Sequence, residues 1–95
     1  MLLEEGEYRF TGRLRTQDLH FDDNVTRGGV TLRISGDRTP RMLTQASDWT
    51  TFTYDFPVTG LTDIELLCEL RASRGRVWFD IDSLKLIRKA TTPKR

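Results

Sequence analysis

Hydrophobic and polar residues alternate along most of this chain. From Glu7 to Arg15, Tyr8, Phe10, Gly12 and Leu14 share one side, while Glu7, Arg9, Thr11, Arg13 and Arg15 share the other. A period of two predicts a half-buried strand. Val30, Leu32 and Ile34 alternate with Thr31, Arg33 and Ser35 in a second strand. From Thr50 to Val58, Phe52, Tyr54, Phe56 and Val58 point inward and Thr51, Thr53 and Asp55 outward. Pro57 cannot donate to a ladder, so this third strand belongs at an edge. Ile64, Leu66, Cys68, Leu70 and Ala72 point one way and Glu65, Glu69 and Arg71 the other, with Leu67 an apolar exception. In the last stretch Val77, Phe79 and Ile81 face the core. Leu84 and Leu86 continue that face after a phase slip at Ser83, which reads as a bulge.

The connections are polar. Thr16 to Gly29 carries Asp18, Asp22, Asp23, Asn24 and a glycine pair, and reads as a long loop of the kind that often carries function. Gly36 to Pro40 is a turn, followed by a short edge strand from Arg41 to Thr44. Thr59 to Asp63 turns the chain, and Ser73-Arg74-Gly75 predicts a hairpin between the last two strands. No segment sustains a helical period. Strands with one apolar face need a second layer. The expected fold is therefore all-β: one antiparallel two-sheet β-sandwich over residues 1–88, ahead of a disordered basic tail at 89–95. Tyr8, Phe10, Leu32, Ile34, Phe52, Tyr54, Phe56, Leu66, Leu70, Val77, Phe79 and Ile81 would fill its interior.

Charge narrows the partners. The net charge is +1, but Lys85, Arg88, Lys89, Lys94 and Arg95 all follow Leu84 without an acid among them. The preceding residues hold ten bases against fourteen acids. An acidic body with a basic tail is not a nucleic-acid footprint. No apolar run is long enough to span a bilayer, and Glu4 and Glu5 interrupt any secretory leader. Cys68 is the only cysteine, so no internal disulfide forms; at an inward position it acts as a small hydrophobe.

Little here suits catalysis. His20 is the only histidine and has no nucleophile motif around it, so it reads as a loop residue or part of a ligand rim. Asp80 and Asp82 on one exposed strand lack the asymmetry that a glycosidase pair needs. The chain reads as a non-enzyme. Hard cations take six to eight oxygens, so two carboxylates alone make no metal site.

The order of segments is informative. Gly6-Glu7-Tyr8-Arg9-Phe10-Thr11-Gly12 is followed by Gly29-Val30-Thr31-Leu32-Arg33-Ile34 and then Asp48-Trp49-Thr50-Thr51-Phe52. Ile64 to Leu70 comes next, and Gly75-Arg76-Val77-Trp78-Phe79-Asp80-Ile81-Asp82-Ser83-Leu84 closes the series. Over residues 5–88 this resembles the galactose-binding-like jelly rolls, above all the carbohydrate-binding modules attached to polysaccharide-degrading enzymes. The resemblance implies a non-catalytic accessory module, extracellular or periplasmic, that holds a carbohydrate. It also implies a possible structural Ca²⁺ with Asp80 as a ligand, and Trp49 as a structural plug. The family opens with further strands that this chain does not show, so a neighbouring domain or a second copy would fill the missing edge.

The residues themselves suggest where a sugar would bind. Trp78 falls on the polar side of its strand, where it can stack on a sugar ring while Glu69, Arg71 and Asp80 meet the hydroxyls. Asn24, Arg27 and Arg38 sit in the two loops expected at one end of the sandwich and can add directed hydrogen bonds. The alternative is a structural domain that assembles through an open sheet edge.

Overall fold

The computed structural model describes residues 1–25 and 27–89; the tail from residue 90 onward lies outside the described residues. Eight strands follow one another: β1 (Leu2–Leu3), β2 (Gly6–His20), β3 (Gly29–Ile34), β4 (Thr50–Val58), β5 (Thr62–Asp63), β6 (Leu66–Arg71), β7 (Arg74–Phe79) and β8 (Lys85–Arg88). All pairings are antiparallel. The sole helical element among the described residues is a 3₁₀ turn at Ile81–Ser83, so the all-β expectation holds.

β2 organises the larger sheet. One of its edges pairs with β4 from Gly6↔Val58 to Leu14↔Thr50. Its other edge pairs with β8 near its start and with β7 near its end. β7 and β8 therefore lie end to end along β2 as one interrupted strand. The interruption is the 3₁₀ turn, tied down where Arg13 N–H donates to Ser83 Oγ at 2.8 Å and Asp80 N–H donates to the Arg13 carbonyl at 2.9 Å. This turn, rather than a bulge, causes the phase slip at Ser83. It also turns Ile81 out to 77% exposure, so Ile81 is not a core residue. Pro57 does sit on an edge strand, because β4 ends this sheet.

β3 and β6 form a second, two-stranded sheet, from Gly29↔Arg71 to Ile34↔Leu66. β6 and β7 follow one another but belong to different sheets, so the expected hairpin at Ser73–Gly75 is instead a crossing between layers. Tyr8, Phe10, Leu14, Val30, Leu32, Phe52, Phe56, Val58 and Ile64 are buried in one cluster, with Val77, Phe79, Leu84 and Leu86 packed against it. Apolar area removed from water at this cluster is the main stabilising term. Thr31 is fully buried too, although it alternates with the core residues. The 41–43 segment explains this: the Thr31 hydroxyl donates to the Arg41 carbonyl at 2.8 Å. The edge strand expected there reduces to a single bridge, Val30↔Leu43.

Two other expectations change. Leu66, Cys68 and Leu70 pair with Ile34, Leu32 and Val30 and so share their face. Yet Cys68 is exposed and Leu70 is 37% exposed. The apolar face of β6 overhangs the core instead of entering it. And β2 does not stop at Arg15: it runs five residues further, taking in Thr16, Gln17, Asp18, Leu19 and His20, which were expected to be loop. Lys89, expected to open the tail, is docked: its N–H donates to the Glu7 carbonyl at 2.8 Å and its ammonium lies 3.5 Å from Asp55.

A half-buried polar contact links two segments. The Tyr54 hydroxyl donates to Asp37 Oδ2 at 2.6 Å, tying β4 to the turn at 36–40. Burial, reinforced by that hydrogen bond, pushes the Tyr54 hydroxyl up to about 12. No helix among the described residues is long and apolar enough to cross a membrane.

Candidate functional site

The extra length of β2 builds the site. Thr16 points inward and is buried, and its hydroxyl accepts the Ala46 N–H at 2.8 Å while its own N–H donates to the Ala46 carbonyl at 2.7 Å. The 44–47 segment thus takes over along β2 where β4 ends. Beyond Gln17 the register with β7 shifts before His20 meets Arg74. At this irregularity Asp18 adopts φ 54°, a left-handed conformation that non-glycine residues seldom hold. Irregularities of this kind re-aim side chains at sheet ends and recur at functional sites. Gly75 makes the fit possible: its φ is 127°, and a Cβ there would lie 2.7 Å from the Asp18 carbonyl oxygen.

On the outer face, Arg15 pairs across the strands with Trp78, and Gln17 pairs with Arg76. The Arg15 guanidinium lies 4.6 Å from the Trp78 ring centroid and 5.4 Å from that of Trp49. Arg15 is therefore flanked by both tryptophans of the chain. Trp49 also lies 5.9 Å from the Arg13 guanidinium. At 46% exposure it is no plug in the core but part of this outer face. Cation–π contact with two indoles restrains the guanidinium plane. The Arg15 Nε–H is buried without a hydrogen-bond partner among the described residues, a penalty of about 1–3 kcal/mol for an ordinary buried donor.

An open depression of about 520 Å³ adjoins the stack, lined by Arg15, Gln17, His20, Gln45, Ser47 and Trp78 among others. Two shallower depressions continue from it around His20, bounded by Arg74 and Arg76 on one side and by Asp18 and Asp22 on the other. The three share His20 and border one another over the end of β2 and the start of β7, and together are called the groove. Amides, hydroxyls and arginines beside indole rings can bind a polar ligand that has an apolar face.

The residues singled out in the sequence are dispersed. Trp78 belongs to the groove. Glu69 and Arg71 lie on β6 in the other sheet, where the Glu69 carboxylate accepts from Arg33 Nε at 3.0 Å and lies 3.2 Å from Arg71. Those contacts, Arg33 first, hold the Glu69 carboxyl below the usual carboxylate range. Arg27 donates to the Pro40 carbonyl at 2.8 Å, so the two polar loops do meet. Asn24 is exposed in an Asx turn on Asp22, and Arg38 is exposed in the 36–40 turn. Asp80 pairs with Arg13. β7 ends at Phe79, so Asp80 and Asp82 do not extend a strand face with Trp78. No group of three or more His, Cys, Asp or Glu side chains that could hold a metal occurs among the described residues.

Arg15, Trp49, Gln17 and the arginines of β7 were not legible as a site. Only the outward position of Trp78 and the reading of His20 as part of a ligand rim hinted at it, because the pairing of residue 15 with residue 78 is non-local. Compared with protein-family models, with curated proteins and with solved structures, the chain matches none.

Proposed function

We propose that this chain is a galactose-binding-like jelly roll that serves as a non-catalytic carbohydrate-binding module, with its sugar site in the groove beside Trp78. The observation that supports it is the stack itself: two indoles hold one guanidinium at the edge of an open polar depression. Sugar rings offer an apolar C–H face to an indole and hydroxyls to amides and carboxylates. Gln17, Gln45, Ser47 and Asp18 line the groove for the second task. The strands beneath are fixed by the β2–β7 ladder, so little order has to be gained on binding.

Titration with a panel of poly- and oligosaccharides should change the fluorescence of the two tryptophans. Trp78→Ala should weaken binding by about tenfold or more, since truncating a central aromatic anchor costs about 2 kcal/mol or more, and Trp49→Ala, which only frees the Arg15 guanidinium, should weaken it less. Flat fluorescence across the panel, with no retention on immobilised glycans, ends this reading.

A second reading rests on the overhanging face of β6. The β3–β6 sheet has two strands, the outer edge of β6 is unpaired among the described strands, and Cys68 and Leu70 are exposed beside it. An uncovered edge with apolar neighbours is a template for strand addition. A second chain or a neighbouring domain would complete the layer, and the solution mass of the domain separates this structural role from a monomeric module.

A further inference from the structure

Resting on the carbohydrate-binding reading, we infer that the groove takes an acidic glycan, with Arg15 receiving a carboxylate or sulfate and Arg76 and Arg74 following the next charges along the chain. The guanidinium of Arg15 is held between Trp49 and Trp78 yet makes no salt bridge among the described residues, and neither do Arg74 and Arg76. Most other arginines of the ordered sheets are neutralised or tied down: Arg9 by Asp55, Arg13 by Asp80, Arg33 and Arg71 by Glu69, and Arg88 by Glu4. The strand arginines left without an acidic partner border this groove, whereas Arg27 and Arg41 are held by backbone carbonyls elsewhere and Arg38 lies in the 36–40 turn.

Their spacing suits an extended ligand. Arg76 and Trp78 share one face of β7 about 7 Å apart, and Arg74 follows beyond the irregularity at Gly75. Arg15 lies across from Trp78 and Gln17 across from Arg76. A planar fork restrained by aromatic rings is pre-organised for two-pronged contact with a carboxylate or sulfate. Asp18 and Asp22 also line the groove. Carboxylates there accept hydrogen bonds from the hydroxyls that an acidic sugar carries beside each charge and that a DNA backbone lacks. This feature favours a hydroxyl-rich anion over DNA.

The test matches each acidic oligosaccharide with its neutral counterpart: oligogalacturonate with its methyl ester, sialyllactose with lactose, and sulfated galactan with desulfated galactan. At least one acidic member should bind about tenfold tighter than its counterpart, and added salt should narrow the gap. Arg15→Lys keeps the charge but loses the fork, and should erase about tenfold of that preference. Arg74→Gln and Arg76→Gln change exposed side chains, so they test the idea even if Arg15→Lys disturbs folding. Each should weaken the acidic ligand about threefold more than its neutral counterpart. Equal binding of acidic and neutral members overturns the inference and leaves the module reading standing. Binding of no glycan removes both. A single-stranded oligodeoxythymidylate that binds as tightly as the best acidic sugar also overturns it, in favour of nucleic acid.

Discussion

Phe52→Ala should lower the melting temperature of the domain by roughly 15 °C or more. Phe52 is 1% exposed, on the inward face of β4, directly across from Gly12 of β2. Gly12 brings no side chain of its own, and the Leu84 side chain packs over it, 2.5 Å from where a Cβ would stand. The phenyl ring and Leu84 therefore fill that point of the sheet. Arg41 closes its margin, with the guanidinium 4.3 Å from the ring centroid and Nη2 donating to the Thr53 carbonyl at 2.9 Å. Truncating a buried Phe costs about 3–5 kcal/mol, because the cavity collapses only in part. A domain of this size has only about 5–15 kcal/mol in total. A loss below about 1.5 kcal/mol would mean that the interior does not converge on Phe52.

Gly75→Ala should lower the melting temperature by about 10 °C or more and weaken the groove at the same time, since each kcal/mol shifts a domain of this size by about 4–8 °C. Gly75 holds φ 127°, where side chains are seldom tolerated, and strain of that kind costs about 1–3 kcal/mol. The new methyl would also meet backbone, 2.7 Å from the Asp18 carbonyl oxygen and 2.8 Å from the Leu19 Cα. A flexible side chain could swing aside; a strand cannot. The chain would have to give at the irregularity that aims Asp18 and His20, so thermal denaturation and glycan affinity should fall together. An unchanged melting curve would show that β2 and β7 do not approach as closely as described.

The interior was legible because it is local. Tyr8, Phe10 and Leu14, then Val30 and Leu32, then Phe52, Phe56 and Val58 alternate strictly, and each run fell in a strand with that face buried. Alternation does not say which strands become neighbours. Ser73-Arg74-Gly75 carries every mark of a tight hairpin, yet β6 pairs with β3 and β7 with β2. The same limit misplaced Cys68 and Leu70: they lie on the correct face of a strand with too little opposite it. Gln17, Asp18 and His20 read as loop because polar residues dominate there, while the pairing that keeps them extended comes from far along the chain.

The site was obscured for the same reason. Trp78 was noticed because it breaks the polar face of its strand. Its partners Arg15 and Trp49 resemble ordinary surface residues until cross-strand register brings them together. Glu69 and Arg71 share a strand neighbourhood with Trp78 in sequence, but the chain changes layers between them.

β2 is flanked by strands far apart in the chain: Tyr8 sits beside Phe56 on one side and Arg88 on the other. During synthesis, one flank of β2 must therefore wait unprotected until residue 88 has left the ribosome. Such distant closures fold slowly and leave sticky intermediates. Removing residues 85–88 would thus do more than delete a short strand, since β2 would lose the flank that shields it from sticking to other chains.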